Sequence, residues 1–299
     1  MVAAMGLALP VAAAPVLLAQ ADTTPAPAAR RYSIPPVGPM RDARERKDQV
    51  ERDYQAGRRS FDAGDNFTAI DYFLRAKQID PTYHPAAYWL GRAYLAAGAA
   101  PSAIDQFSDA ITQSPKFDGY YFARARAKVK IGQYASAIDD FNKALEFHGG
   151  PQDDLFYSAR GDAYLNNGQN DLAVKDFDEA LRQKGSIRSV YLHRGVAYAR
   201  TKDYGRAIAD FNTAEALGRS SNSLDFDTYY YRALAEDLSG DKAAASRDYN
   251  AADGFNDTRK REARCLASFV DYSKLKFLGR TIGGCGGVDP VKELNKPPA

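Results

Sequence analysis

The sequence predicts an all-α chain, an α-solenoid of about six helix-turn-helix units ending in a capping helix. Three observations carry this expectation. First, one eight-residue pattern recurs: AIDYFLRA from Ala69, AIDQFSDA from Ala103, AIDDFNKA from Ala137, AVKDFDEA from Ala173, AIADFNTA from Ala207, and a weaker ASRDYNAA from Ala245. The leading alanines are 34, 34, 36, 34 and 38 residues apart, a period that marks stacked supersecondary units. Second, each copy follows a segment with an aromatic residue and a Gly or Ala near its centre, such as YWLGRAYLAAG at 88–98 and YLHRGVAYART at 191–201. Third, Gly64, Gly98, Gly132, Gly168 and Gly240 each stand five residues before a leading alanine, where a helix must stop and the chain take a positive φ.

Each unit reads as two helices. In the second, Ala69, Phe73 and Ala76 fall at i, i+4 and i+7 and share one face. In the first, Gly91 and Tyr94 are three apart, so a small residue admits a neighbouring helix while a ring fills the space beside it. Pro81 and Pro115 close the first two units, and Gly149-Gly150, Gly185 and Gly218 are expected to do so later. The units lie near 50–83, 84–117, 118–151, 154–187, 188–221 and 226–255, within an array at 41–253.

The small-large pattern Gly91, Tyr94, Ala103, Phe107, Ala110 and Pro115 resembles the tetratricopeptide repeat (TPR) family over roughly 48–253. That resemblance implies a right-handed superhelix, stable only as a stack, with a concave groove lined by the first helices.

The ends are different. Residues 1–21 carry no charge, and the apolar run from Leu7 to Ala19 ends in Ala19-Gln20-Ala21, the small residues a signal peptidase reads. No basic n-region precedes it, so two readings stand: a signal peptide cleaved after Ala21, giving a periplasmic or secreted protein, or a retained anchor, which Pro10 and Pro15 disfavour. No cysteine follows to take a lipid. The Pro/Ala-rich stretch 22–40 reads as an extended spacer. After the repeats, residues 256–278 read as the capping helix, with Ala263, Leu266 and Val270 toward the last repeat and Arg259, Lys260 and Arg261 toward water. The tail 279–299 is punctuated by Gly and Pro. Cys265 and Cys285 are the only cysteines. In an exported chain a disulfide between them would staple the tail to the cap, adding about 3 kcal/mol for a loop of roughly 21 residues; the alternative is two unlinked thiols.

Lys plus Arg is 40 and Asp plus Glu 38, so the formal charge of +2 gives no global field for nucleic acid or a membrane. Neither a nucleic-acid partner nor a membrane span in the mature chain is expected. No P-loop, GxSxG, HExxH or CxxC appears, no cofactor or metal is implied, and His84, His148 (read as a turn residue) and His193 are scattered. Asp71, Asp105, Asp139 and Asp210 read as one repeated, solvated position on the second helices. The chain is therefore expected not to be an enzyme; an unrecognised hydrolase is the remote alternative.

The family resemblance puts ligand contacts on the first helices. There Tyr54, Tyr88 and Phe122 recur one repeat apart, with Arg58, Arg92 and Arg126 four residues after each and Lys130 one turn beyond Arg126. Spacing i, i+4 sets each ring and guanidinium on one helical face, and stacking would align them in two ladders. Ser158, Asp162, Leu192 and Val196 break both ladders in repeats four and five. Rings and arginine forks suit an extended acidic peptide; equally, they could serve contacts between helices. A second series, Arg124, Arg160, Arg194 and Arg232, stands directly before the small residue and is expected to brace repeats. The family's carboxylate clamp uses Asn with Lys and Arg, and Asn is missing from the corresponding sites, so recognition of a chaperone tail is not expected. The reading is a non-catalytic protein-interaction module of a bacterial envelope with a peptide in its groove. The alternative is an assembly scaffold working through its convex face or cap.

Overall fold

The computed structural model describes residues 38, 40, 42–150, 152–221, 226–255 and 294–295. Residues 1–37, Cys265, Cys285 and the expected capping helix lie outside them, as does the tail apart from Leu294 and Asn295.

Twelve helices make six antiparallel pairs among the described residues: α1 (Ala43–Asp62) with α2 (Asn66–Ile79), α3 (His84–Ala96) with α4 (Ala100–Gln113), α5 (Asp118–Lys130) with α6 (Tyr134–His148), α7 (Asp154–Asn166) with α8 (Asn170–Gln183), α9 (Arg188–Arg200) with α10 (Tyr204–Ser221), and α11 (Phe226–Ser239) with α12 (Lys242–Asp253). No strand occurs among them. His148 is the last residue of α6 rather than part of a turn. Gly218 is a buried interior residue of α10, which runs through it to Ser221; a glycine inside a helix permits close approach as readily as it ends one.

All six intra-repeat turns close alike. An N–H just past the helix end reaches back five residues, as in Asp65, two beyond the C-cap Ala63, to the Ser60 carbonyl (2.9 Å) and Gln169, two beyond the C-cap Asn167, to the Tyr164 carbonyl (2.9 Å). This Schellman-type closure needs a left-handed residue in the middle. Gly64, Gly98, Gly132, Gly168 and Gly240 supply it with φ from 75° to 100°; in repeat five Lys202 takes φ 66° instead. Asp42, Asp65, Asp153 and Asp241 cap α1, α2, α7 and α12 by accepting a backbone N–H.

The core repeats with the sequence. Phe73, Phe107, Phe141, Phe177, Phe211 and Tyr249, one per second helix, are fully buried. Phe73, Phe107, Phe177 and Phe211 lie against the glycine sixteen positions earlier: a Cβ built on Gly57, Gly91, Gly161 or Gly195 would come within 2.6–2.7 Å of the facing ring. Those glycines admit the ring edge where a methyl would collide.

Successive first helices touch one another at every step along the array, and successive second helices make no comparable contact. The first helices thus form the inner layer. Between repeats the α6–α7 junction is the thinnest, and there Gly149, with φ 71°, ends α6.

Candidate binding groove

The inner layer carries the ring and arginine ladders, and the two behave differently. Each ring is half-buried and packs on its own repeat's second-helix aromatic: Tyr54 on Phe73 (6.2 Å between centroids), Tyr88 on Phe107 (5.8 Å) and Phe122 on Phe141 (5.8 Å). Tyr88 and Phe122 also reach the next first helix, at Tyr120 (5.0 Å) and Phe156 (5.7 Å). The rings therefore belong to the wall of the core.

Arg58 and Arg92 converge on one ring, Trp89, with Cζ 3.7 and 3.9 Å from its centroid. Phe61 meets Trp89 edge-on at 5.4 Å and lies 5.1 Å from the Arg92 Cζ. Arg58 Nη1 donates to the Tyr54 hydroxyl at 3.3 Å, while its buried Nε has no hydrogen-bond partner. Arg126 lies 5.7 Å from the Phe122 ring, and both Arg126 and Lys130 are exposed. Among the described residues none of Arg58, Arg92, Arg126 and Lys130 joins an ion pair. Trp89 is absent from the ladders read in the sequence because no other repeat has a Trp at its position. Its spacing of i, i+3 to Arg92 was the available signal.

The other arginines are fully engaged. Arg124 grips Asp140 at 2.8 and 2.7 Å, Arg160 grips Asp176 at 2.7 and 2.9 Å, and Arg194 grips Asp210 at 2.8 and 2.8 Å. Arg232 binds Asp248 in the same two-pronged way. The remaining Nη1 reaches back to the preceding second helix: Ser108 (3.0 Å), Asn142 (3.1 Å), Asp178 (2.7 Å) and Asn212 (2.8 Å). One guanidinium thus ties three helices. Burial opposes the charge of Arg194 and Arg232, yet their carboxylate partners hold both guanidinium pKa values above the ordinary value. In repeat one the polarity is reversed, with Arg75 of α2 binding buried Asp53 of α1.

This corrects the expected aspartate series. Asp105 and Asp139 are exposed and Asp71 half-buried, but Asp210 sits one position further along its helix, 6% exposed, as the partner of Arg194. A one-residue step rotates a side chain by about 100° on a helix, from the outer surface to the inter-helix seam.

The tetratricopeptide repeat family model matches residues 54–116, 122–186 and 158–222, together more than half of the chain. The chain belongs to the tetratricopeptide repeat family. No curated protein sequence matches it. Among solved structures it is similar to PilF of Pseudomonas aeruginosa (TM-score 0.59, 14% identity, covering 73% of this chain and 98% of that one). It is also similar to PilW, described as a widely conserved type IV pilus biogenesis factor (TM-score 0.59, 16% identity, 69% and 92%). A third is YrrB, described as a TPR protein with an unusual peptide-binding site (TM-score 0.54, 14% identity, 67% and 97%). At these identities the likeness is one of fold. As a member of this family the chain is a protein-interaction module.

Beyond the third TPR unit the inner layer changes character. Asp162 stands where Arg126 stood one repeat earlier, and His193 Nδ1 lies 2.6 Å from its carboxylate. Lys130, Asn166 and Arg200 share one register position in repeats three to five. Asn166 donates from Nδ2 to the Asp162 carbonyl (2.9 Å), and its buried Oδ1 has no partner. Arg200, the last residue of α9, donates through Nη1 to the Leu165 carbonyl at 2.8 Å and through Nε to the Leu294 carbonyl at 3.1 Å. Burial lowers its pKa. Leu294 is 3% exposed and belongs to the core cluster of repeats three to six.

The other histidines also find partners: His84 Nδ1 the Tyr120 hydroxyl and His148 Nδ1 the Asp118 carboxylate, each at 2.6 Å. Among the described residues, no group of three or more His, Cys, Asp and Glu is placed to hold a metal, and no helix is long and apolar enough to cross a membrane. A hollow of about 610 Å³ at the outer edge of repeat one is lined by Arg52, Asp53, Tyr72 and Arg75, whose Arg75–Asp53 pair already consumes its central charges.

Proposed function

We propose that this TPR protein is exported to a bacterial envelope and binds an acidic, extended segment of a partner protein along the inner face of repeats one to three. The observation behind the reading is the sorting of arginines into two sets. Every member of the bracing set holds a carboxylate, whereas Arg58, Arg92, Arg126 and Lys130 form a stripe without one. Four such cations on one face favour an anionic ligand, and Trp89 with Phe61 offers apolar cover for its backbone. Helices pack about 8–10 Å apart and an extended chain rises about 3.3–3.6 Å per residue. Each arginine therefore meets a side chain about three residues from the last. Export rests on the apolar leader at 1–21 and the Pro-rich spacer that follows.

The test uses a synthetic peptide with Glu at every third residue. Trp89 is the chain's single tryptophan, so intrinsic fluorescence reads the groove directly and calorimetry gives the affinity. Arg58→Ala with Arg92→Ala should abolish binding while helical content stays unchanged; unaltered binding removes the reading. A second reading, an assembly scaffold acting through its convex face or cap, is favoured by the similarity in fold to PilW, a pilus biogenesis factor. In that case the double variant would be silent and loss of residues 257–285 would matter.

A further inference from the structure

Arg58 and Arg92 place their Cζ atoms 3.7 and 3.9 Å from the centroid of the same ring, Trp89. Carbon atoms pack about 3.5–4.0 Å apart, so each guanidinium lies over the centre of the indole. One face has room for only one of them at that height. The two therefore occupy opposite faces, with the ring as a spacer between. Their Cζ atoms are then at most 7.6 Å apart, the sum of the two distances, and at least about 7 Å, twice the contact distance. That is closer than the packing of helix axes, about 8–10 Å, so at this step the arginines lean toward each other. Among the described residues neither guanidinium joins an ion pair. Arg58 spends Nη1 on the Tyr54 hydroxyl and its Nε is buried, which leaves Nη2 as its outward donor. Like charges held this close without a counter-ion attract an anion more strongly than either would alone.

An extended chain rises about 3.2–3.4 Å per residue and turns alternate side chains to one face. Residues i and i+2 thus present their side chains together about 6.4–6.8 Å apart, close to the separation of the two guanidiniums, while residue i+3 lies about 10 Å away on the opposite face. We infer that the Arg58–Trp89–Arg92 stack reads the spacing of acidic residues. It takes an extended segment of a partner protein with carboxylates on alternate residues, one to each guanidinium, and Trp89 is the positioning residue that sets the distance. This rests on the reading of repeats one to three as the seat of an acidic segment, and adds which acidic segments fit at the first two arginines. With a cation on each face, Trp89 presents its edge to the groove. Arg92 also lies 5.1 Å from the Phe61 ring and Arg58 bonds the Tyr54 hydroxyl at 3.3 Å, so widening the gap would break contacts already made.

The probes are two synthetic peptides of equal length and composition, each with two aspartates in a Ser/Thr background, separated by one residue in the first and by two in the second. Aspartate is chosen because its single methylene keeps the carboxylate close to the backbone. Calorimetry against the full-length chain should show the first peptide binding about tenfold more tightly, the worth of one charge-assisted hydrogen bond. Trp89→Leu removes the flat spacer, keeps both arginines and should bring the two affinities within about twofold of each other. Trp89→Phe keeps a flat ring and should retain the preference. Circular dichroism at 222 nm checks that helical content is kept, and Trp89→Met replaces Trp89→Leu should that variant lose it. Equal binding of the two peptides by the wild-type chain, with both lost in Arg58→Ala plus Arg92→Ala, overturns the spacing rule and leaves the acidic-segment reading standing. Binding of neither peptide, or binding that the double arginine variant keeps, removes that reading and the rule with it. A preference that persists in Trp89→Leu overturns Trp89 as the residue that sets the distance.

Discussion

Removing the Arg194 guanidinium should cost more than removing the charge of its partner. Arg194 is held by two bonds to Asp210 at 2.8 Å each and one to Asp178 at 2.7 Å, with side-chain exposures of 17% for Arg194, 9% for Asp210 and 51% for Asp178. In Arg194→Met the exposed Asp178 regains water, but Asp210 keeps a buried charge with no counter-ion. Breaking a buried pair from that side costs about 3–5 kcal/mol. In Asp210→Asn the amide oxygen still accepts one bond and the guanidinium keeps Asp178, so the loss is that of one charge-assisted hydrogen bond, about 1.5–3 kcal/mol. Replacing both residues, Arg194→Met with Asp210→Leu, removes the unpaired charge and should return to within about 1–2 kcal/mol of the wild type. Repeat arrays unfold unit by unit, so global melting would blur the comparison. Native-state hydrogen exchange of the α9 and α10 amides reads the local opening free energy. The reasoning fails if Arg194→Met costs no more than Asp210→Asn, or if the double variant shows the sum of the two single losses.

Gly195→Ala would place a Cβ 2.7 Å from Cε1 of the fully buried Phe211 ring. Overpacking of about 1–3 kcal/mol should outweigh the helical gain of about 1 kcal/mol and lower the denaturation midpoint. Gly205→Ala, with open space around it, should raise it, and the same sign for both would refute the ring-contact argument. Glu236 on α11 has its pKa pushed up to about 7 by burial and then by the nearby Asp248 charge, and its Oε2 has no partner. The fold therefore prefers the protonated acid: this contribution is full below about pH 4.5 and is lost as pH rises through 7. At half-burial, solvent screening leaves about 1–2 kcal/mol of the effect. Glu236→Gln should flatten stability between pH 4.5 and 7 in urea titrations, and a parallel shift at every pH would show that the carboxyl does not titrate there.

The fold was legible because each repeat states the same packing rule. A small residue, a ring sixteen positions on and a turn residue five before the leading alanine are local signals, and repetition multiplies them. The bracing arginines were visible as a series, but their partners were not, because the eye groups Asp210 with Asp71, Asp105 and Asp139 across a one-residue offset that separates outer surface from seam. The constant spacing of sixteen from Arg124 to Asp140, and from Arg194 to Asp210, was the clue within the sequence. Trp89 and Leu294 were not legible for a different reason. Each occurs once, so periodicity says nothing about it, and only the fold brings Trp89 between Arg58 and Arg92 or Leu294 to Arg200.

The near-neutral net charge conceals two different uses of arginine on one helix. On α5, Arg124 and Arg126 are two residues apart, about 200° around the axis, so one faces the seam and finds Asp140 while the other is solvent-exposed on the inner layer beside Phe122. Seam arginines carry their own counter-ions and add nothing to the external field, so only the second kind can act on a ligand. In repeat four the seam pair Arg160–Asp176 persists, but the solvent-exposed inner position becomes Asp162, whose carboxylate meets His193. The helix-pair scaffold therefore continues through six repeats while the cationic stripe of the inner surface ends after the third, beside the thinnest inter-repeat junction. On the proposed reading an acidic segment would gain along repeats one to three and meet the carboxylate of Asp162 in repeat four.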